Sequence, residues 1–87
     1  MYNYFLVVGK INAINTEDKT IEIIDNGDMK NNIPKQIITI QLNQSILDEI
    51  LKIDANSFIG IKGRILAEGK VNHLIADGIR LSEAQYN

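Results

Sequence analysis

Cysteine and tryptophan are absent from these 87 residues, and histidine and proline occur once each, as His73 and Pro34. Without Cys there is no disulfide staple, no thiolate metal site and no thiol nucleophile, and nothing argues for an oxidising compartment. One His does not build a His-rich metal site, so neither a metal nor a cofactor is expected. No apolar run approaches the roughly 18 residues of a membrane span, so no membrane partner is expected. The first ten residues, MYNYFLVVGK, lack the basic stretch and small-residue cleavage site of a secretory leader, which makes a cytoplasmic location the expectation. Arg occurs only at Arg64 and Arg80 while Ile and Asn dominate, the usage that an AT-rich genome favours. A missing Trp or Arg therefore says less about function than it otherwise would.

What is present fits one small domain, residues 1–83, followed by a short polar tail, 84–87. A chain of this size buries about 64% of its extended surface, a marginal core that self-association would help. The net charge of −2 excludes a globally basic, histone-like binder, so any site for a polyanion must be local.

Hydrophobic periodicity supplies the elements. Tyr2 to Ile14 is rich in β-branched and aromatic residues, but Tyr4, Phe5, Leu6, Val7 and Val8 are apolar at both parities. A barrel strand buries one face, so this half needs cover on both. Alternation returns after Gly9, which suggests a bulge or sharp bend. After a turn at Asn15 to Asp18, a second strand runs from Lys19 to Asp25 with Ile21 and Ile23 inward. Asn26 to Asn32 is polar and predicts a mobile loop. In a third strand, Lys35 to Leu42, Ile38, Ile40 and Leu42 face one side and Lys35, Ile37, Thr39 and Gln41 the other. Ser45 offers an N-cap, with Asp48 three residues on, for a two-turn helix carrying Ile46, Leu47, Ile50, Leu51 and Ile53. A fourth strand, Phe58 to Glu68, puts Ile59, Ile61, Gly63, Ile65 and Ala67 on one parity and Phe58, Lys62 and Arg64 on the other. Glu68-Gly69 turns into a fifth strand, Lys70 to Ser82, whose alternation slips near Asp77-Gly78 and predicts a bulge.

Three strands, a helix and two strands in about 85 residues is the order of the OB-fold, an all-β, five-stranded Greek-key barrel with one short helix between strands three and four. An SH3-like barrel lacks such a helix, and a ferredoxin-like fold needs two. Gly60-Ile61-Lys62-Gly63 matches the GxxG loop of KH domains, but period two persists through it, as in a strand.

Several stretches resemble the bacterial single-stranded DNA-binding protein family. Val8-Gly9-Lys10-Ile11 resembles the VGRL of its first strand, Ile59 to Ile65 (IGIKGRI) its fourth-strand pattern, and Val71 to Glu83 (VNHLIADGIRLSE) its last strand. With the helix SILDEILK in place, the resemblance covers nearly the whole chain. It implies sequence-independent binding of single-stranded DNA, in replication, repair or recombination, and assembly through the first strand. Departures are equally visible. The segment entering strand three, Pro34-Lys35-Gln36-Ile37, has no aromatic for base stacking, the loop between strands four and five is cut short, and Ala84-Gln85-Tyr86-Asn87 is no counterpart to the acidic tail. In size the chain is closer to the primosomal replication protein of the same fold. Stacking is worth about 1 to 3 kcal/mol per base, so its loss predicts weak affinity.

Lys10, Lys35, Lys62 and Arg64 face outward by parity, and Lys30 lies in the loop between strands two and three. On an OB barrel these cations are candidates for one nucleic-acid groove, or they are ordinary solvated side chains. Glu17, Asp18, Asp48, Glu49, Asp54 and Glu83 fall in turns, helix and tail, which would leave a local positive stripe. Phe58 shares the parity of Lys62 and Arg64 and either offers a stacking face or packs beneath the helix. Tyr2, Tyr4, Phe5, Leu6, Val7 and Val8 are candidates for a homo-oligomer interface, dimer or tetramer. His73 with Asp77 suggests acid–base chemistry only superficially, because residues four apart on a strand do not meet. Ser45, Ser57 and Ser82 lack a His partner. No catalytic constellation emerges, and a non-enzyme is expected. Single-stranded DNA is the expected partner, with RNA equally acceptable to a stacking platform. The rival reading is a protein-interaction subunit of a replication or restart complex with little nucleic-acid affinity.

Overall fold

The computed structural model of the chain describes residues 3–81. Its strands are β1 (Tyr4–Asn15), β2 (Thr20–Asp25), β3 (Gln36–Gln41), β4 (Phe58–Glu68) and β5 (Val71–Leu81), with the helix α1 (Gln44–Ile50) between β3 and β4. They close into a barrel in the order β1-β2-β3-β5-β4. The pairings are antiparallel except at the seam between β3 and β5, which is parallel and meets at Gln41 and Ile75. Among the described residues no helix is long and apolar enough to cross a membrane. The tail 84–87 and Tyr2 lie outside the described residues.

Period-two burial makes the core. Ile21, Ile23, Ile40, Ile59 and Ile61 are completely buried, as is Ile50 of the helix. Each such side chain stabilises the fold by about 1.5 to 3 kcal/mol. Ile46 and Leu47 of α1 join the same cluster, so the helix packs its apolar stripe onto the barrel interior. Its N-cap is Asn43, two residues earlier than Ser45: the Asn43 side-chain oxygen accepts from the Ile46 amide at 2.8 Å. Asp48, the expected companion of Ser45, instead accepts from the Gln44 side chain. Asn43→Ala should therefore cost about 1 kcal/mol, read from thermal melts, and Ser45→Ala much less.

β1 serves two neighbours. Tyr4 to Lys10 pair with β4, and Lys10 to Asn15 pair with β2. Gly9 sits at this changeover, where a Cβ would overlap the carbonyl oxygen of Ile24. It is a point of close approach, and the bulge lies further on, between Ile11 and Ala13. Gly63 is required for the same reason, since a Cβ there would overlap the Ile75 carbonyl. Gly63→Ala should lower the unfolding free energy by about 1 to 3 kcal/mol in urea denaturation.

The bulge expected in β5 is present. Lys62 pairs with Gly78 and Gly63 with Ala76, which leaves Asp77 as the extra residue. The hairpin before it turns at Gly69 and Lys70, with Gly69 at φ 64°, so β5 begins at Val71. The loop between β2 and β3 is internally bonded. Asp28 and Ile33 exchange backbone hydrogen bonds at 2.9 and 2.8 Å, and the Asp28 carboxylate accepts from the Lys30 amide and the Asn31 side chain. A 3₁₀ turn, Met29–Asn31, follows from that cap.

Candidate nucleic-acid interface

The outward positions of four strands line up across the barrel. Ile37 of β3 pairs with Ile24 of β2, Ile24 with Lys10 of β1, and Lys10 with Phe58 of β4. Each belongs to the parity opposite the buried isoleucines. Three interstrand steps make this row about 14 Å long. Ile37 is 58% exposed and Phe58 44%, while Ile24 and Lys10 are half-buried. Lys10 thus lays its alkyl stem between two apolar neighbours and carries its ammonium at the surface. Lys35 lies two residues before Ile37, and Lys30 projects in the turn of the β2–β3 loop beside Met29, which is 91% exposed. Of the expected residues, Lys10 and Phe58 therefore stand in this row, while Lys30 and Lys35 lie in the segment that leads into β3.

Lys62 and Arg64 stand apart from them. Barrel closure places β4 between β1 and β5, not beside β3, so these residues share a face with β5. Lys62 is opposite Leu6 and Gly78, and Arg64 is opposite Tyr4 and Ile75. Arg64 is also engaged: its Nε lies 3.1 Å from an Asp77 carboxylate oxygen. Both partners are exposed, so the pair adds little stability, but Asp77 offsets the charge that Arg64 offers. The separation of acids from cations is incomplete, since Asp77 is on this face and Glu22 is on β2 beside the apolar row, accepting from the Asn12 side chain at 2.9 Å.

Neither Ile24 nor Arg80 was evident as a site residue. Arg80 reaches the outer face because the Asp77 bulge shifts the parity of the strand beyond it, opposite Gly60. That shift was the available signal. His73 does not meet Asp77. Its Nδ1 lies 3.2 Å from the Gln41 side-chain nitrogen and its Nε2 3.4 Å from a Glu68 carboxylate oxygen, so it ties β5 to the ends of β3 and β4.

In β1 the two apolar sets part cleanly. Tyr4, Leu6 and Val8 are 69%, 67% and 56% exposed, while Phe5 and Val7 pack against the core. The outward set is thus Tyr4, Leu6 and Val8 alone, because the barrel interior already covers the other two. The edge of Phe5 to Val8 opposite β4 carries no strand ladder among the described residues.

A groove of about 770 Å³ lies at the β1–β2 turn and is lined by Ala13 to Asp18, Thr20 and Glu22. Its charged lining residues are Glu17, Asp18 and Glu22, which repel phosphate. No group of three or more metal-ligating side chains occurs among the described residues.

No family model matches this sequence, and no curated protein matches it. Solved structures do match. The mitochondrial single-stranded DNA binding protein Rim1 of S. cerevisiae is 11% identical, over 93% of this chain and 94% of its own, with a TM-score of 0.72. A chain of the S. pombe Stn1-Ten1 complex is 14% identical, over 95% of this chain and 60% of its own, with a TM-score of 0.63. CusF in its Ag(I) form is 14% identical, over 92% of this chain and 99% of its own, at 0.57. At such identities the likeness is one of fold, and it agrees with the closed barrel and its helix between β3 and β4: this chain is an OB-fold.

Proposed function

We propose that this chain is a non-enzymatic, cytoplasmic OB-fold protein that binds single-stranded DNA without sequence preference, in replication, repair or recombination. The observation that carries this reading is the outward row Ile37, Ile24, Lys10 and Phe58, to which the preceding segment with Lys30 and Lys35 would add charge. Apolar surface interleaved with cations accepts base faces and phosphates together. The likeness of fold to a single-stranded DNA binding protein supports the same reading. With one aromatic in the row, most of the affinity comes from phosphates, and it is modest. Phe58→Ala should weaken binding to labelled oligo-dT about fivefold or more in fluorescence anisotropy, since stacking one base is worth about 1 to 3 kcal/mol. Unchanged affinity in a folded variant would remove Phe58 from the site.

The protein works as a homodimer, on this reading, through the free edge of β1. An exposed apolar edge invites another strand, and a second copy brings the same Leu6 and Val8 alongside. Two barrels then hold one DNA strand on two weak platforms, which raises affinity by effective concentration. The likeness of fold to a chain of the Stn1-Ten1 complex favours a second reading, a protein-interaction subunit of a replication or restart complex. Weak, salt-insensitive DNA binding together with tight protein capture would favour it.

A further inference from the structure

Four of the six glycines are explained by the fold. Gly9 and Gly63 leave no room for a Cβ, and Gly27 and Gly69 have positive φ. Gly60 and Gly78 meet neither condition. A Cβ at Gly60 would come no nearer than 3.6 Å to any neighbour, and one at Gly78 would meet only the flexible Lys62 side chain, at 3.2 Å. Glycine in the middle of a strand weakens it and marks a bulge, a sharp bend or a close approach by a ligand or another backbone; Gly78 follows the Asp77 bulge, which leaves Gly60 without a backbone account. Both glycines have the parity opposite the core, with Gly60 buried beneath its neighbours and Gly78 half-buried. Gly60 pairs with Arg80 and Lys62 with Gly78, so on neighbouring strands the two glycines and the two cations form a checkerboard. Val8 and Leu6 of β1 continue the two rows. Leu6, Gly60, Lys62 and Arg80 line a shallow trough of about 290 Å³.

Arg64 beside this trough is held by Asp77, which also lines a hollow with Lys62, but neither the Lys62 nor the Arg80 side chain has an ion pair or hydrogen bond among the described residues. Diagonal neighbours on adjacent strands lie about 7 to 8 Å apart, and like charges at that spacing repel. An anion lowered between them onto the glycine floor would relieve the repulsion and contact both.

We infer that the Gly60–Gly78 trough is a second contact site for the sugar–phosphate backbone of single-stranded nucleic acid. The inference rests on the proposed DNA binding and extends its track. Phe58, Gly60 and Lys62 are successive residues of that parity on β4, so a strand leaving the Phe58 end of the apolar row reaches the trough in one step of about 7 Å. Leu6 is its apolar lining.

The test compares salt slopes by anisotropy with labelled oligo-dT of about 6 nucleotides, within the footprint of one OB-fold, and of about 30. In the wild type the slope steepens with length. Lys62→Ala with Arg80→Ala should flatten the slope for the longer oligonucleotide by about 1.4, the value for two phosphates on a single strand, with an unchanged melting temperature. Gly60→Val, which fills the floor and keeps both cations, should also reduce it. An unchanged slope for both variants, with wild-type binding intact, would overturn this inference alone. A change in sedimentation in place of the slope would make the trough a protein contact and overturn it too. A wild type that binds neither oligonucleotide overturns the proposed function, and this site with it.

Discussion

Raising the salt from about 50 to about 200 mM should weaken binding to oligo-dT about 20- to 130-fold. The figure follows from three to five neutralised phosphates, each contributing about 0.7 to the slope of log K against log salt on a single strand. Lys10, Lys30 and Lys35 supply three of these contacts, and two more are available on β4 and β5. The chain carries a net charge of −2, so no long-range attraction masks the local term. Aromatic stacking, by contrast, is nearly indifferent to salt, and only Phe58 offers it among the proposed residues. Anisotropy titrations at four salt concentrations measure the slope. A flat profile would show that the cations of the row do not touch phosphate.

Replacement of Leu6 by Glu should convert a dimer into a folded monomer. Leu6 is the centre of the outward apolar set of β1, and its side chain is two-thirds exposed in the isolated barrel. Burying two or three such residues per subunit is worth about 1.5 to 3 kcal/mol each, enough to offset the ordering cost of association. A carboxylate at the centre of the edge removes one of these contacts and places two like charges together in the pair. The barrel interior does not feel the change, so circular dichroism and thermal melts should remain those of a folded protein. Phe5→Lys would behave differently: Phe5 packs against the core, and a charge there should destabilise the barrel itself. Sedimentation at tens of micromolar separates these outcomes. A wild-type protein that sediments as a monomer at that concentration contradicts the assembly.

The contrast between Leu6 and Phe5 also shows how far the amino-acid order leads. Period-two patterning located the core isoleucines and the bounds of β4, because each strand must turn one parity inward. The slip at Asp77 was visible as a break in that pattern. In β1 both parities are apolar, so pattern alone left open which set faces out, and only the pairing of Tyr4 to Lys10 with β4 decided it. Ser45 was read as the N-cap, and the cap is Asn43, two residues earlier, because the helix begins sooner than the apolar spacing showed. Gly9 was read as a bend because sequence shows a missing side chain without showing which carbonyl approaches it. The larger limit concerns the site. Parity reported that Lys10, Lys35, Lys62 and Arg64 face outward, but not that β4 closes against β5 and β1 while β3 lies across the barrel. Long-range closure, which no local pattern encodes, divided these cations between two stretches of surface. It also brought Arg80 into the second of them.

The central claim is recognition of single strands by an exposed apolar and cationic row. Fluorescence anisotropy with a labelled oligo-dT and a duplex of equal length, at low salt, tests it most directly. A duplex hides its base faces, so only phosphates remain for the barrel to contact, whereas a single strand offers both. The expected result is binding of the single strand at least about fivefold tighter than the duplex, consistent with about 1 to 3 kcal/mol for one stacked base. Equal affinity for the two, or no binding of either, would contradict it.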